Sequence, residues 1–274
     1  MEHAEYGDPT GTPVIFLHSI LYSRKKLHPF SNYAESHGLR IIRPERPGFG
    51  YSDPLNEPSQ KAYADDIRQL ADQLNISRFH IVGDASAGPI ALACCASLQE
   101  RVIRAAIISC IPSPRYDEID GLIPFERMLL NMGRTTPASF HSHFAKIMMK
   151  GMQKNPDKYY DKMFKHLPDA DQEIVSKPEK RAIFFESIDN AFPARVDSFA
   201  TDYLMRLKEW DFSLEEIQTE VDLWHGIDNR IVSISSAERM ANELPNCRAR
   251  FLESEGHYLF ISHWDQILEQ LTRV

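Results

Sequence analysis

Short, continuous apolar runs alternate with longer amphipathic stretches over the first and last parts of the chain. Pro13-Val14-Ile15-Phe16-Leu17 is too apolar to alternate, which predicts a strand buried on both faces. Residues 40–43, 79–82, 105–109, 221–224 and 248–252 are further strand candidates. Between them, 63–74 places Ile67, Leu70, Ala71 and Leu74 on one helical stripe. Residues 87–98 are apolar nearly all round, as a helix buried against a sheet is, and 264–271 supply a terminal amphipathic helix. Strands alternating with helices predict an α/β fold, with a doubly wound, mostly parallel sheet.

The middle of the chain breaks this rhythm. Residues 112–203 offer no good strand, only helical stretches rich in Met, Phe, His and Lys. Pro112, Pro114, Pro124, Pro137, Pro156, Pro168, Pro178 and Pro193 punctuate them. The stretch is too apolar for a linker and reads as a helical insertion into a core made of 1–111 and 204–274.

Composition narrows the partners. Of 274 residues, 43% are hydrophobic and 26% charged, ordinary globular values that exclude disorder. Lys and Arg number 31 against 39 Asp and Glu, a net charge of −8 with the basic residues scattered. Neither nucleic acid nor an anionic membrane surface is the expected partner, since both call for clustered cations. No apolar run approaches the roughly eighteen residues of a membrane span, and the acidic start lacks the order of a signal peptide. Cys94, Cys95, Cys110 and Cys247 show no metal-binding or redox spacing, so a reduced, cytoplasmic protein without cofactor or metal is expected. His141 and His143 sit two apart with no acidic or cysteine partner at ligand spacing and are expected to be exposed.

Each strand candidate runs into a turn with chemically suggestive residues. In order they are Leu17-His18-Ser19-Ile20, Arg46-Pro47-Gly48-Phe49-Gly50-Tyr51-Ser52-Asp53, Val82-Gly83-Asp84-Ala85-Ser86-Ala87-Gly88-Pro89, His225-Gly226-Ile227-Asp228-Asn229-Arg230-Ile231-Val232 and Glu255-Gly256-His257-Tyr258. Ligands of open α/β sheets bind at the carboxyl ends of strands, so these turns are expected to converge. The glycines of the second turn permit a tight, partly left-handed loop that Ser52 and Asp53 shape. His18 and His225 read as structural residues, and Asp84 as a solvated or helix-capping carboxylate, with a buried acid near the site as the alternative.

Taken as an ordered set, these turns resemble the α/β-hydrolase family: a strand ending in His-Gly, an Arg-Pro-Gly loop, a G-x-S-x-G elbow, His-Gly-x-x-Asp-x-x-Val and a late Gly-His. The resemblance implies that 112–203 is a helical cap inserted after the sixth strand. It also implies that the chain starts at the family's second strand. It aligns Ala85 with the nucleophilic serine, Asn229 with the acid and His257 with the base. Ser86 in a shifted elbow and Asp228 in a shorter acid turn are the alternatives for nucleophile and acid. The implied oxyanion donors are the backbone N–H groups of Ile20 and Ser86. Met128, Met132, Met148, Met149, Met152, Phe140 and Phe144 either line the pocket or pack the cap helices.

The implied activity is binding of a small carbonyl compound (ester, lactone or amide) in a pocket under the cap. Family members cleave such compounds by Ser-His-Asp chemistry, and Ala85 marks an inactivated form. The alternatives are a non-hydrolytic, receptor-like binding protein, or a proton-transfer enzyme that uses His257 as base.

Overall fold

Seven strands pair into one sheet among the described residues: β1 (His3–Gly7), β2 (Thr12–Leu17), β3 (Leu39–Pro44), β4 (Phe79–Asp84), β5 (Val102–Ile108), β6 (Glu220–Gly226) and β7 (Cys247–Leu252). Their order is β1-β3-β2-β4-β5-β6-β7. The computed structural model describes residues 1–20, 22–24, 30–116, 118–155, 158, 161, 164–178 and 196–273, with backbone only at 30, 31, 138, 152, 153 and 196. The apolar-run strands pair in parallel. β1 is the exception, antiparallel to β3 with His3 opposite Pro44 and Gly7 opposite Arg40.

Alternation along β2 explains its lack of polar positions. Ile15 and Leu17 join a core with Ile67 and Leu70 of the helix Gln60–Gln73 and Ala91, Cys94 and Cys95 of the helix Gly88–Ser97. Val14 and Phe16 face the other way, into a core with Trp264, Ile267, Leu268 and Leu271 of the helix Phe260–Thr272. Both faces of the sheet are therefore dry, and a polar residue at either set of positions would be stranded without water.

In chain order the longer helices are α1 (Phe30–Ser36), α2 (Gln60–Gln73), α3 (Gly88–Ser97), α4 (Pro124–Thr135), α5 (Ala138–Lys154), α6 (Asp169–Ser176), α7 (Val196–Arg206), α8 (Ile234–Glu243) and α9 (Phe260–Thr272). Ser59 starts α2 by accepting the Ala62 N–H at 3.1 Å. α3 is apolar all round because the sheet and α2 leave it no wet face: from Gly88 through Cys95 every residue is buried.

α4 to α7 fall between β5 and β6, which is after the sixth strand when the count begins one strand before β1. Pro124 opens α4, and Pro137 and Pro168 immediately precede α5 and α6, where a missing N–H costs nothing. Pro156 and Pro193 lie outside the described residues. Leu129, Ala145, Met149, Phe199 and Tyr203 of these helices pack on Phe49 of the 46–53 loop. Two ion pairs add direction: Arg46 to Asp202 at 2.5 and 2.9 Å, and Arg206 to Glu126 at 2.7 Å. Gly48 (φ 78°) and Gly50 (φ 53°) give that loop its left-handed turns. Ser52 Oγ secures it by accepting Glu2 N–H at 3.0 Å.

Helix α3 sits unusually close to β4. A Cβ added at Gly83 would lie 2.6 Å from Ala91 Cβ and 2.9 Å from Ala87 O. Gly83→Ala is therefore expected to push α3 off the sheet and to destabilise the fold by about 1–3 kcal/mol, read as a lower urea midpoint with an unchanged slope.

Candidate functional site

The turn after β4 is sharp. Ala85 follows the strand directly in the left-handed region (φ 47°), is almost fully buried, and passes through the short 3₁₀ turn Ala85–Ala87 into α3. A side chain at such a φ carries strain of order 1 kcal/mol or more, held here by packing on both sides. The bend brings Ala85 to the wall of a cavity of about 950 Å³, including the part open to solvent. Strand-end turns supply Ser19, Ile20, Asp84, Ser86, Ile231 and His257 to the same wall. The inserted helices supply Phe125, Leu129, Met148, Phe199 and Tyr203. Four of the five turns thus converge on this cavity, while the 46–53 turn does not line it and packs under the inserted helices through Phe49.

His257 stands on the Asn229 amide. Asn229 Oδ1 accepts two backbone N–H groups, from Ile231 at 2.9 Å and Val232 at 3.0 Å. Those donors settle which end of the amide is oxygen, and the other end, Nδ2, lies 3.2 Å from His257 Nδ1. An amide nitrogen there donates, so Nδ1 of the ring is the acceptor and the ring proton resides on Nε2. Nε2 has no protein partner among the described residues. Burial, with His225 and the Arg206 charge adding to it, pulls the imidazole down to about 3. His257 therefore shows the cavity a neutral N–H, not a lone pair.

The alternative positions are not brought to this ring. Asp228 is exposed and directs its backbone N–H to Glu255 O at 3.0 Å, so Asn229 alone reaches the imidazole from this turn. Side chains one residue apart on a tight turn point in different directions. Ser86 Oγ accepts the Ile20 N–H at 2.9 Å and lies 3.2 Å from Ser19 Oγ. It makes no hydrogen bond to His257, and it occupies one of the two backbone donors that the elbow pattern leaves for a ligand oxygen.

Of two carboxylates near the site, Asp84 matches the buried-acid alternative of the sequence reading and Asp171 was not read at all. Asp84 is neither solvated nor a cap: it is 2% exposed, lines the cavity and makes no capping hydrogen bond. Burial pushes it up to about 7 against the pull of Arg43. Asp171 of α6 accepts the backbone N–H groups of His257 and Tyr258, each at 2.9 Å. Its place in a motif-free helix gave no signal.

His18, His225 and His141 make structural contacts. His18 Nδ1 lies 3.0 Å from Ser19 O, and its Nε2 is 3.3 Å from Glu45. His225 Nε2 lies 3.2 Å from Val232 O, bracing the turn that carries Asn229. His143 is exposed, but His141 is buried, its Nε2 2.7 Å from Thr136 Oγ1 and 3.0 Å from Met132 O, because α5 folds back onto the end of α4. Among the described residues no group of three or more His, Cys, Asp or Glu is arranged to hold a metal ion. Of the Met and Phe set, Met148 lines the cavity, Phe144 and Met149 pack between helices, and Met128 and Phe140 are exposed. The Met152 side chain lies outside the described residues. No helix among the described residues is long and apolar enough to cross a membrane.

Comparisons with known proteins agree with this layout. A profile of the alpha/beta hydrolase fold matches residues 12–263. The 2-hydroxymuconate semialdehyde hydrolase of Pseudomonas putida is 23% identical over 236 residues, 85% of this chain and 75% of that protein. The pimeloyl-(acyl-carrier protein) methyl ester esterase of Aromatoleum aromaticum is 23% identical over 227 residues, 82% of this chain and 83% of that protein. Among solved structures, an esterase from Exiguobacterium antarcticum superposes with a TM-score of 0.71 at 17% identity, covering 98% of this chain and 92% of that one. The profile match spans most of the chain, and the chain belongs to the alpha/beta hydrolase fold family.

Proposed function

We propose that the protein binds a small, largely apolar carbonyl compound beneath a cap formed by α4 to α7, and that it does not cleave it through an acyl-enzyme. The observation that carries this reading is the Asn229 Nδ2 to His257 Nδ1 hydrogen bond. A serine-type hydrolase needs the opposite tautomer, with the Nε2 lone pair facing the nucleophile and an acid to stabilise the imidazolium. Here the ring offers a donor, the acid position is an amide, and the nucleophile position is the methyl of Ala85.

The same features suit recognition. The His257 Nε2–H donates to a ligand carbonyl oxygen without having to change charge. Apolar walls from Ile20, Phe125, Leu129 and Phe199 bury the rest of the molecule. The Arg206 charge on the cavity wall is already paired with Glu126, and the Asp202 carboxylate there with Arg46, which favours a neutral ligand over an ion. A carbonyl ligand also fits the names of the relatives, one acting on a semialdehyde and one on a methyl ester. The proton-transfer reading, with His257 as base, requires a lone pair where this geometry sets an N–H.

Short p-nitrophenyl esters test the proposal. The parent is expected to release no p-nitrophenol at a rate that depends on His257. Ala85→Ser alone should stay within about tenfold of background, because Asn229 still holds the wrong tautomer. Ala85→Ser with Asn229→Asp should add about 10³–10⁴ in kcat/KM. A parent rate abolished by His257→Ala would overturn the reading.

Acid stability tests the ring itself. The folded value near 3 lies below the ordinary 6.5, so stability is fully present above pH 6.5 and is lost as pH falls through this window. Each pH unit costs up to about 1.4 kcal/mol. Between pH 7 and pH 5 the His257→Gln variant should lose about 2 kcal/mol less than the parent by urea unfolding. Equal losses would show that the ring is not held neutral.

A further inference from the structure

The inserted helices reach the His257 loop through one carboxylate. Asp171 sits in the first turn of α6 and is fully buried. Oδ2 accepts the His257 N–H and Oδ1 the Tyr258 N–H, both at 2.9 Å, so both oxygens grip two successive peptide groups. Gly256 makes room for the grip: a Cβ there would fall 2.3 Å from the Asp171 carboxyl carbon. Phe164, from the same inserted segment, adds an edge contact to the Tyr258 ring at 6.4 Å, and Tyr258 in turn meets the His257 ring at 5.3 Å.

This carboxylate is an expensive choice. Among the described residues no cation forms an ion pair with it, and its charged neighbours, Glu255 and Asp228, are both acidic. Glu255 is itself bonded to His263 at 2.7 Å. Burial outweighs the two hydrogen bonds and pushes the Asp171 carboxyl up to about 6. Satisfying two peptide groups does not require such a group, since a hydroxyl or a water suffices. What the carboxylate adds is a rigid two-point hold delivered from a separate layer of the structure.

We infer that Asp171 is a positioning residue for the cavity: from the inserted helices it fixes the 257–258 backbone so that the His257 ring keeps Nδ1 on Asn229 and turns Nε2–H to the ligand space. This rests on the reading of His257 as the ligand's hydrogen-bond donor. Docking of α6 and alignment of the donor are then one event, and a ligand meets an aligned donor only beneath seated helices.

Nitrogen-15 NMR of the full chain with labelled histidine tests the assignment, with the His257 signals identified by their loss in His257→Gln. The parent should show an unprotonated Nδ1, a protonated Nε2 and no titration from pH 8 down to the region near 6 where Asp171 itself takes up a proton. Asp171→Asn keeps the size but turns an NH₂ toward one of the two peptide N–H groups. It should speed amide exchange at His257 and Tyr258 at least tenfold, leave Val82 and Ile107 unchanged, and move the His257 nitrogens to tautomer-averaged positions that titrate within that range. Faster exchange or a lower Tm with unchanged His257 nitrogens would reduce Asp171 to a structural role and overturn the inference. If Asp171→Asn does not fold, Gly256→Ala, which displaces the carboxylate without altering it, should give the same ring signature, and an unaltered ring there overturns the inference equally. A parent ring protonated on Nδ1 would sink the proposed function instead, a result visible before any variant is made.

Discussion

The chemistry of this site depends on an amide that is not free to turn. Asn229 is anchored through its oxygen by two backbone N–H groups of its own turn, which leaves only its NH₂ end for the imidazole. A carboxylate in the same seat would accept from the ring and leave the cavity-facing nitrogen basic. Shape is nearly the same in the two cases, but the direction of the hydrogen bond reverses, and with it the role of the histidine. On the function proposed above, one buried donor stands where a serine hydrolase would present a base.

The scaffold explains how such a change is tolerated. β4 and α3 approach so closely that Gly83 has no room for a side chain, and the connection is forced into a left-handed step at Ala85. That step positions whatever residue follows the strand, with or without a reactive side chain. The turns after β2 and β6 and before α9 are braced by His18, His225 and Asp171. None of these braces needs a nucleophile at residue 85. Function is therefore carried by a few side chains on a frame that is indifferent to them.

Much of this was legible in the chain because burial on both faces leaves a simple trace. β2 reads as an unbroken apolar run, β4 and β5 as apolar runs interrupted by His80 and Arg104, and α3 as an apolar helix, for that reason. β1 left no such trace: only Ala4 and Tyr6 interrupt polar residues, and it is held at the sheet edge by pairing with β3 instead of by burial. Ala85, Asn229 and His257 were found because the turns come in a characteristic order, each defined by local glycines. Asp84 was legible as a buried acid only in second place, since its neighbours look like a helix start and only the tertiary fold buries it. Asp171 was invisible: it lies 86 residues from the backbone it binds, on a helix with no pattern of its own. The same holds for His141, whose burial depends on how two helices fold together.

The Ser86 hydroxyl has a consequence for the cavity. By receiving the Ile20 N–H, it spares a half-buried peptide group from facing an apolar space with nothing to bond. One side-chain rotation would hand that donor to an incoming oxygen, at the cost of a hydrogen bond worth about 1 kcal/mol. The receptacle thus carries its own placeholder, and long intervals without a guest need not loosen its walls.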